Sequence, residues 1–157
     1  MRILGADIMI DLTANVHIRQ CWMAPDGSLV YEDQEMKNLV VDAGLNLLRD
    51  RLAGLSSAYA THLAIGTGTT AVSAAQTTLA TEVFRDALTS ATTSSKAATL
   101  KYYLAAGSAN GNTLREIGLF TASSGGTMIA RALLASPIVK TASVTATFTW
   151  TINFSAT

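Results

Sequence analysis

The clearest pattern in the chain lies near its end. Val144, Ala146, Phe148, Trp150, Ile152 and Phe154 share one face, and Thr145, Thr147, Thr149, Thr151 and Asn153 share the other. Strict period-two alternation predicts a half-buried antiparallel strand, with β-branched threonines suited to the solvent side. Three further runs read as strands, over 99–105, 114–120 and 128–134, and the last strand is placed at 143–154. GSANGN and TASSGG supply the turns between them, and SPIVKTA joins the last two. Near the start, NVHIRQCWM alternates loosely and SLVYED follows Pro25-Asp26-Gly27. Proline presets the first turn position and glycine accepts positive φ, so residues 15–33 read as a hairpin.

Only one segment has a convincing helical period. Between residues 38 and 52, Val41, Leu45, Leu48 and Leu52 recur at spacings of four, three and four, which predicts one buried stripe. Asn38 or Asp42 is placed to cap the start and Gly54 to end the helix. Gly44 weakens the interior by about 1 kcal/mol relative to alanine, which argues for a close approach to another backbone. Residues 66–81 are small and hydroxylated, EVFRDALT is a short helical turn or the start of a strand, and ATTSSKAAT reads as a polar connector. The sum is a mainly β chain: an antiparallel β-sandwich with one amphipathic helix (about 39–53) at its side or end. Two units are expected, an N-terminal hairpin or docking segment over 1–36 and the helix plus sandwich over 37–157.

Composition sharpens this picture. Lys and Arg total 11 against 11 Asp and Glu, so no basic excess exists to neutralise a nucleic acid. Charged residues make up 14% and hydrophobic ones 49%, where an average globular protein carries roughly 25% charged. A neutral, charge-poor surface has weak protection against self-association, so much of it is expected to be covered by other subunits. Cys21 is the single cysteine, so no intrachain disulfide forms. Asp7 and Asp11 interrupt what would be the core of a signal peptide, and Arg131 and Pro137 interrupt the most apolar stretch, MIARALLASPIV. Synthesis in the cytoplasm without membrane insertion is the expectation.

The stretch HLAIGTGTTA poses the sharpest chemical question. Gly66, Gly68 and Ala71 match a relaxed dinucleotide fingerprint, and Asp86 follows Gly66 by 20 residues. A dinucleotide site also needs a helix after the glycines and then a parallel strand. VSAAQTTLATEVF has no apolar stripe of helical period, so the glycines are expected to turn the chain at a strand end. His17 and His62 lack metal-ligand spacing. Glu32-Asp33-Gln34-Glu35 lacks the alternation of a calcium loop and reads as a solvated hairpin end. No G-x-S-x-G elbow occurs. Glu82 and Glu116 are the acids flanked by core-like residues, and Arg85 and Arg115 stand near them, which suggests structural ion pairs rather than a catalytic acid pair. Tyr102, Tyr103, Phe120, Phe148 and Trp150 are not interleaved with basic residues and read as core rather than as a stacking platform. No catalytic, cofactor-binding or metal-binding residue is assigned.

The order of KNLVVDAGLNLLRDRLAG, HLAIGTGTTAVSAAQTTLATEVFR, ANGNTLREIGLF, GTMIARALL and SVTATFTWTINF resembles a family of small bacteriophage structural proteins, described as tail fibre, tail-collar or minor tail proteins. The resemblance spans residues 37–154. It implies a virion component without catalytic activity or cofactor, present as a symmetric homo-oligomer, a trimer or hexamer, beside other tail or baseplate proteins. It also implies that IGTGTT is a strand-end turn. The chain has no long repetitive shaft, so a short adaptor, collar or baseplate-peripheral role fits better than a full fibre, and host-receptor contact is left open. A capsid decoration or head-fibre protein is the alternative. A carbohydrate-binding module is a third reading, for which Trp22 is the one stacking candidate and Trp150 is expected to be buried.

Overall fold

The computed structural model describes residues 10–156, with side chains over 12–155. The leading segment on which the signal-peptide argument mostly rests lies outside the described residues. Ten strands and one helix follow in the order β1 (Ile10–Met23), β2 (Leu29–Lys37), β3 (Leu39–Val40), α1 (Asp42–Leu52), β4 (His62–Gly66), β5 (Glu82–Ala87), β6 (Ser90–Ser94), β7 (Ala97–Leu104), β8 (Thr113–Phe120), β9 (Met128–Val139) and β10 (Val144–Ala156). They form two five-stranded sheets, β2-β1-β10-β7-β6 and β3-β9-β8-β4-β5, in which the paired strands are antiparallel. The fold is mainly β, two antiparallel sheets with a single short helix, as the alternating patterns predict.

The two sheets meet through their apolar faces. Val16 and Ile18 of β1, Leu100 and Tyr102 of β7 and Phe148 and Trp150 of β10 pack against Leu63, Ile65, Ile117 and Leu119 of the second sheet. Trp150 is fully buried, whereas Tyr103 is half exposed on the outer face of β7, so its expected place in the core is corrected. The period of β7 explains this, because Leu100, Tyr102 and Leu104 take the inward positions.

The hairpin is longer than its alternation suggested and is stitched into the first sheet. Its turn is a type I turn on Pro25-Asp26 followed by Gly27 at φ 82°, closed by the Gly27 N–H donating to the Ala24 carbonyl at 2.9 Å. β1 then lies between β2 and β10, paired with β10 from Ile10↔Ala156 to Trp22↔Val144. The boundary expected at 36/37 falls at the last residue of β2, and Asn38 N–H continues the pairing by donating to the Ala14 carbonyl. The acidic run 32–35 sits within β2 rather than at a hairpin end: Asp33 pairs with Arg19, and Glu32 accepts from Gln20.

Two other expectations need correction. ATTSSKAAT is not a connector: it contributes β6, the turn after it and the start of β7. Of the two readings left open for EVFRDALT, the structure takes the strand, over Glu82–Ala87. The buried side of α1 is Val41, Gly44 and Leu47, whereas Leu45 is 42% exposed and Leu52 almost wholly so. Gly44 sets this face. A Cβ there would overlap the Ile129 carbonyl oxygen and lie 2.8 Å from its carbonyl carbon, so the helix rests directly on the β9 backbone. Val41 is the N-cap and no side chain caps the helix, so neither Asn38 nor Asp42 does so. Gly54, at φ 71°, ends it as expected.

Candidate functional site

The glycine-rich stretch leads to the most organised polar cluster in the molecule. β4 ends at Gly66, and the chain runs through loop 67–81 into β5, which pairs antiparallel with β4. The context is strand, loop and antiparallel strand, not the strand, helix and parallel strand of a dinucleotide site. Loop 67–81 folds over the outer face of the second sheet, where Leu79 packs with Ala64, Phe120 and Met128 in a second apolar cluster. That cover explains why β8 is buried on both faces over Glu116–Phe120.

Beneath the loop lies a buried ion pair. Glu116 on β8 and Arg131 on β9 are both fully buried, with Nη2 to Oε2 at 2.7 Å and Nε to Oε2 at 2.9 Å. Glu116 Oε1 also accepts the N–H of Gly68 at 3.1 Å and of Thr81 at 2.7 Å, and Oε2 accepts that of Ala80 at 3.0 Å. Arg131 reaches across to the Thr70 carbonyl and to Gln76 Oε1, each at 2.9 Å. One carboxylate and one guanidinium therefore hold both ends and the middle of the loop. Burial alone would raise the Glu116 carboxyl, but the Thr81 and Ala80 N–H bonds and the Arg131 charge outweigh it and hold it below the usual carboxylate range.

The two glycines exist for this clamp. A Cβ on Gly66 would lie 2.5 Å from Glu116 Oε1, and one on Gly68 would overlap that same oxygen and lie 2.6 Å from the Ala80 Cβ. G-T-G thus lets backbone approach a carboxylate rather than a pyrophosphate. The expected partner of Glu116 was its neighbour Arg115; the partner is Arg131, because adjacent strand residues point to opposite faces. Glu82 does pair with Arg85, at 2.6 Å, and Arg85 also donates to the Ala122 and Gly125 carbonyls. Asp86 lies on β5, 3.4 Å from the Tyr102 hydroxyl, and does not join the glycines.

A second buried charge went unnoticed in the sequence. Lys140 is fully buried, and its Nζ donates to the Ala106 carbonyl, Asn110 Oδ1 and the Thr141 carbonyl at 3.0, 2.9 and 2.9 Å. Three donors meet three acceptors, and the ammonium staples the loop that precedes β8. Burial pulls its pKa below the ordinary lysine value.

The remaining candidates are dispersed. His17 and Arg19 share Asp33 on the outer face of the first sheet, at 3.1 and 2.9 Å. His62 Nδ1 lies 2.8 Å from the Thr61 hydroxyl. Cys21 is free and partly exposed. Among the described residues, no three His, Cys, Asp or Glu side chains gather as a metal site would require, and no helix is long and apolar enough to cross a membrane. Trp22 is half buried at the hairpin end.

Apolar surface is the other distinctive feature. A groove of about 390 Å³ opens between α1 with residues 58–60 and the β6-β7-β10 side of the first sheet. Tyr59 on its rim is 63% exposed, and Met23 and Leu29 at the far hairpin tip are 62% and 57% exposed. Every polar group of the clamp is engaged in holding the loop. No protein-family model matches the chain, and comparison with curated proteins and with solved structures finds no match.

Proposed function

We propose that the chain is a non-enzymatic structural subunit of a bacteriophage virion, a tail-fibre, collar or baseplate-associated adaptor that assembles with copies of itself. The observation that carries this reading is the uncovered apolar surface on a charge-poor molecule. Of the charged residues, already only 14% of the chain, Glu116, Arg131 and Lys140 are spent in the interior. Leu52, Leu55, Tyr59, Met23 and Leu29 meanwhile stand exposed. Tyr59 lies at the apolar groove and Met23 and Leu29 gather at the hairpin tip, and apolar groups grouped in this way are where a neighbouring subunit would pack.

The buried clamp supports the same reading. Fifteen residues without regular structure, 67–81, are tied down by interior charges, and long ordered loops usually have a function, binding among them. The free edge of β6, all five residues exposed, is a further place for a neighbouring chain to pair. The order of motifs that resembles phage tail proteins narrows the class to virion components. The test is mass spectrometry of purified particles from a host that carries the gene. The protein is expected in stoichiometric copies set by tail symmetry, and its absence from intact particles would refute the proposal.

A further inference from the structure

We infer that copies join head to tail, the β1–β2 hairpin tip of one seated in the apolar groove of the next. The inference rests on the reading of the chain as an assembling subunit and names the two surfaces involved.

The groove is walled by Leu48, Tyr59, Leu100, Ile152 and Phe154, and Arg51 is the one charged residue lining it. At about 390 Å³ it is far larger than the voids of a close-packed interior. The tip is its complement. Met23 and Leu29 pair on the outer face of the last hairpin rung, and Trp22 and Val30 pair on the inner face of the rung before it. A strand end that is apolar on both faces has no side suited to water. Its one charge is Asp26, exposed in the turn, its pKa lowered because the carboxylate accepts from the Ser28 hydroxyl and N–H. An apolar tip with one anion thus faces an apolar groove with one cation. Arg51 is already oriented, donating to the Ser57 and Ala58 carbonyls and lying 5.9 Å from the Tyr59 ring centre.

The tip cannot reach the groove of its own chain. Trp22 pairs with Val144 at one end of β10 and Leu12 with Phe154 at the other. At about 3.3 Å per residue, ten residues of continuous ladder hold the two ends roughly 33 Å apart. The contact is therefore between copies, and joined head to tail each subunit at an end keeps one unused tip or groove, so the arrangement propagates to a ring or a filament.

The test is disulfide trapping in a Cys21→Ser background. Met23→Cys protein mixed with Tyr59→Cys protein under mild oxidation is expected to give mixed cross-linked dimers at least tenfold over either self-pair. Random pairing would overturn the inference. So would Tyr59→Cys self-pairs alone, which mean two grooves facing across a two-fold axis. A mixed cross-link that appears only after residues 1–9 are deleted would assign the groove to the chain's own leading segment and overturn it too. Met23→Asp, at an exposed position that leaves the core intact, is expected to weaken self-association at least tenfold. An oligomer unchanged by Met23→Asp would refute this docking mode and leave the subunit reading standing. A wild-type protein that is monomeric at every concentration would remove both.

Discussion

Glu116→Gln isolates what the buried clamp contributes. Glutamine keeps the volume of the side chain and one acceptor oxygen, but it removes the charge. That oxygen can serve the Oε1 partners, Gly68 and Thr81, or the Oε2 partners, Ala80 and Arg131, but not both sets. In either orientation Arg131, fully buried, loses its ion-pair partner among the described residues. Removing one member of a buried pair costs about 3–5 kcal/mol. The bonds from Arg131 to Thr70 and Gln76 remain and place the loss at the lower end, about 3 kcal/mol. A chain of this size loses roughly 2–4 °C of Tm per kcal/mol, so a drop of about 6–12 °C is expected in thermal unfolding followed by circular dichroism. Amide exchange should accelerate at Gly68, Ala80 and Thr81, the three N–H groups that Glu116 accepts. A loss below about 1 kcal/mol, the range of an exposed pair, with those amides still protected, would refute the reasoning.

Acid should act through the same group. Because the folded-state pKa of Glu116 is depressed, its contribution is complete above the unfolded value, about 4.3, and fades as pH falls toward and through the folded value. Urea midpoints of wild type should fall more steeply below about pH 4.3 than those of Glu116→Gln, and parallel curves would contradict this. Gly44→Ala raises helix propensity by about 1 kcal/mol. Its new Cβ would nonetheless overlap the Ile129 backbone, so a net loss of about 1–3 kcal/mol is expected in denaturant unfolding, and a stabilised variant would show that α1 moves freely on β9. Lys140→Met strands the Ala106 and Thr141 carbonyls and Asn110 Oδ1. A cost of about 1–3 kcal/mol, with faster exchange confined to 105–112, is the expected result, and unchanged stability would deny the ammonium its stapling role.

What the sequence made legible follows from how each residue is covered. β10 stands out because one face is buried and the other is threonine, so burial is written as alternation. β6 is hidden because all of its residues are exposed: an edge strand with no buried face has the composition of a linker. The stripe on α1 went wrong because the helix packs through a glycine, and leucines at helical spacing outweigh a glycine in any hydrophobic pattern. The clamp was half visible. Arg131 is a lone charge inside the apolar run MIARALL, and Glu116 is the lone acid inside LREIGLF; two such charges of opposite sign are a signal for a buried pair. What hid the pairing is separation: the partners are 15 residues apart on neighbouring strands, while Arg115 stands next in sequence. Lys140 gave less warning, since its acceptors are mostly main-chain carbonyls, which leave no trace in side-chain identity.

On the proposed reading, this surface is covered by copies of the same chain. Light scattering on a sizing column measures that directly, as the native mass of the purified protein across micromolar concentrations. A defined homo-oligomer is expected, or a ladder of species growing with concentration if the contact propagates. A clean monomer at high micromolar concentration would contradict it.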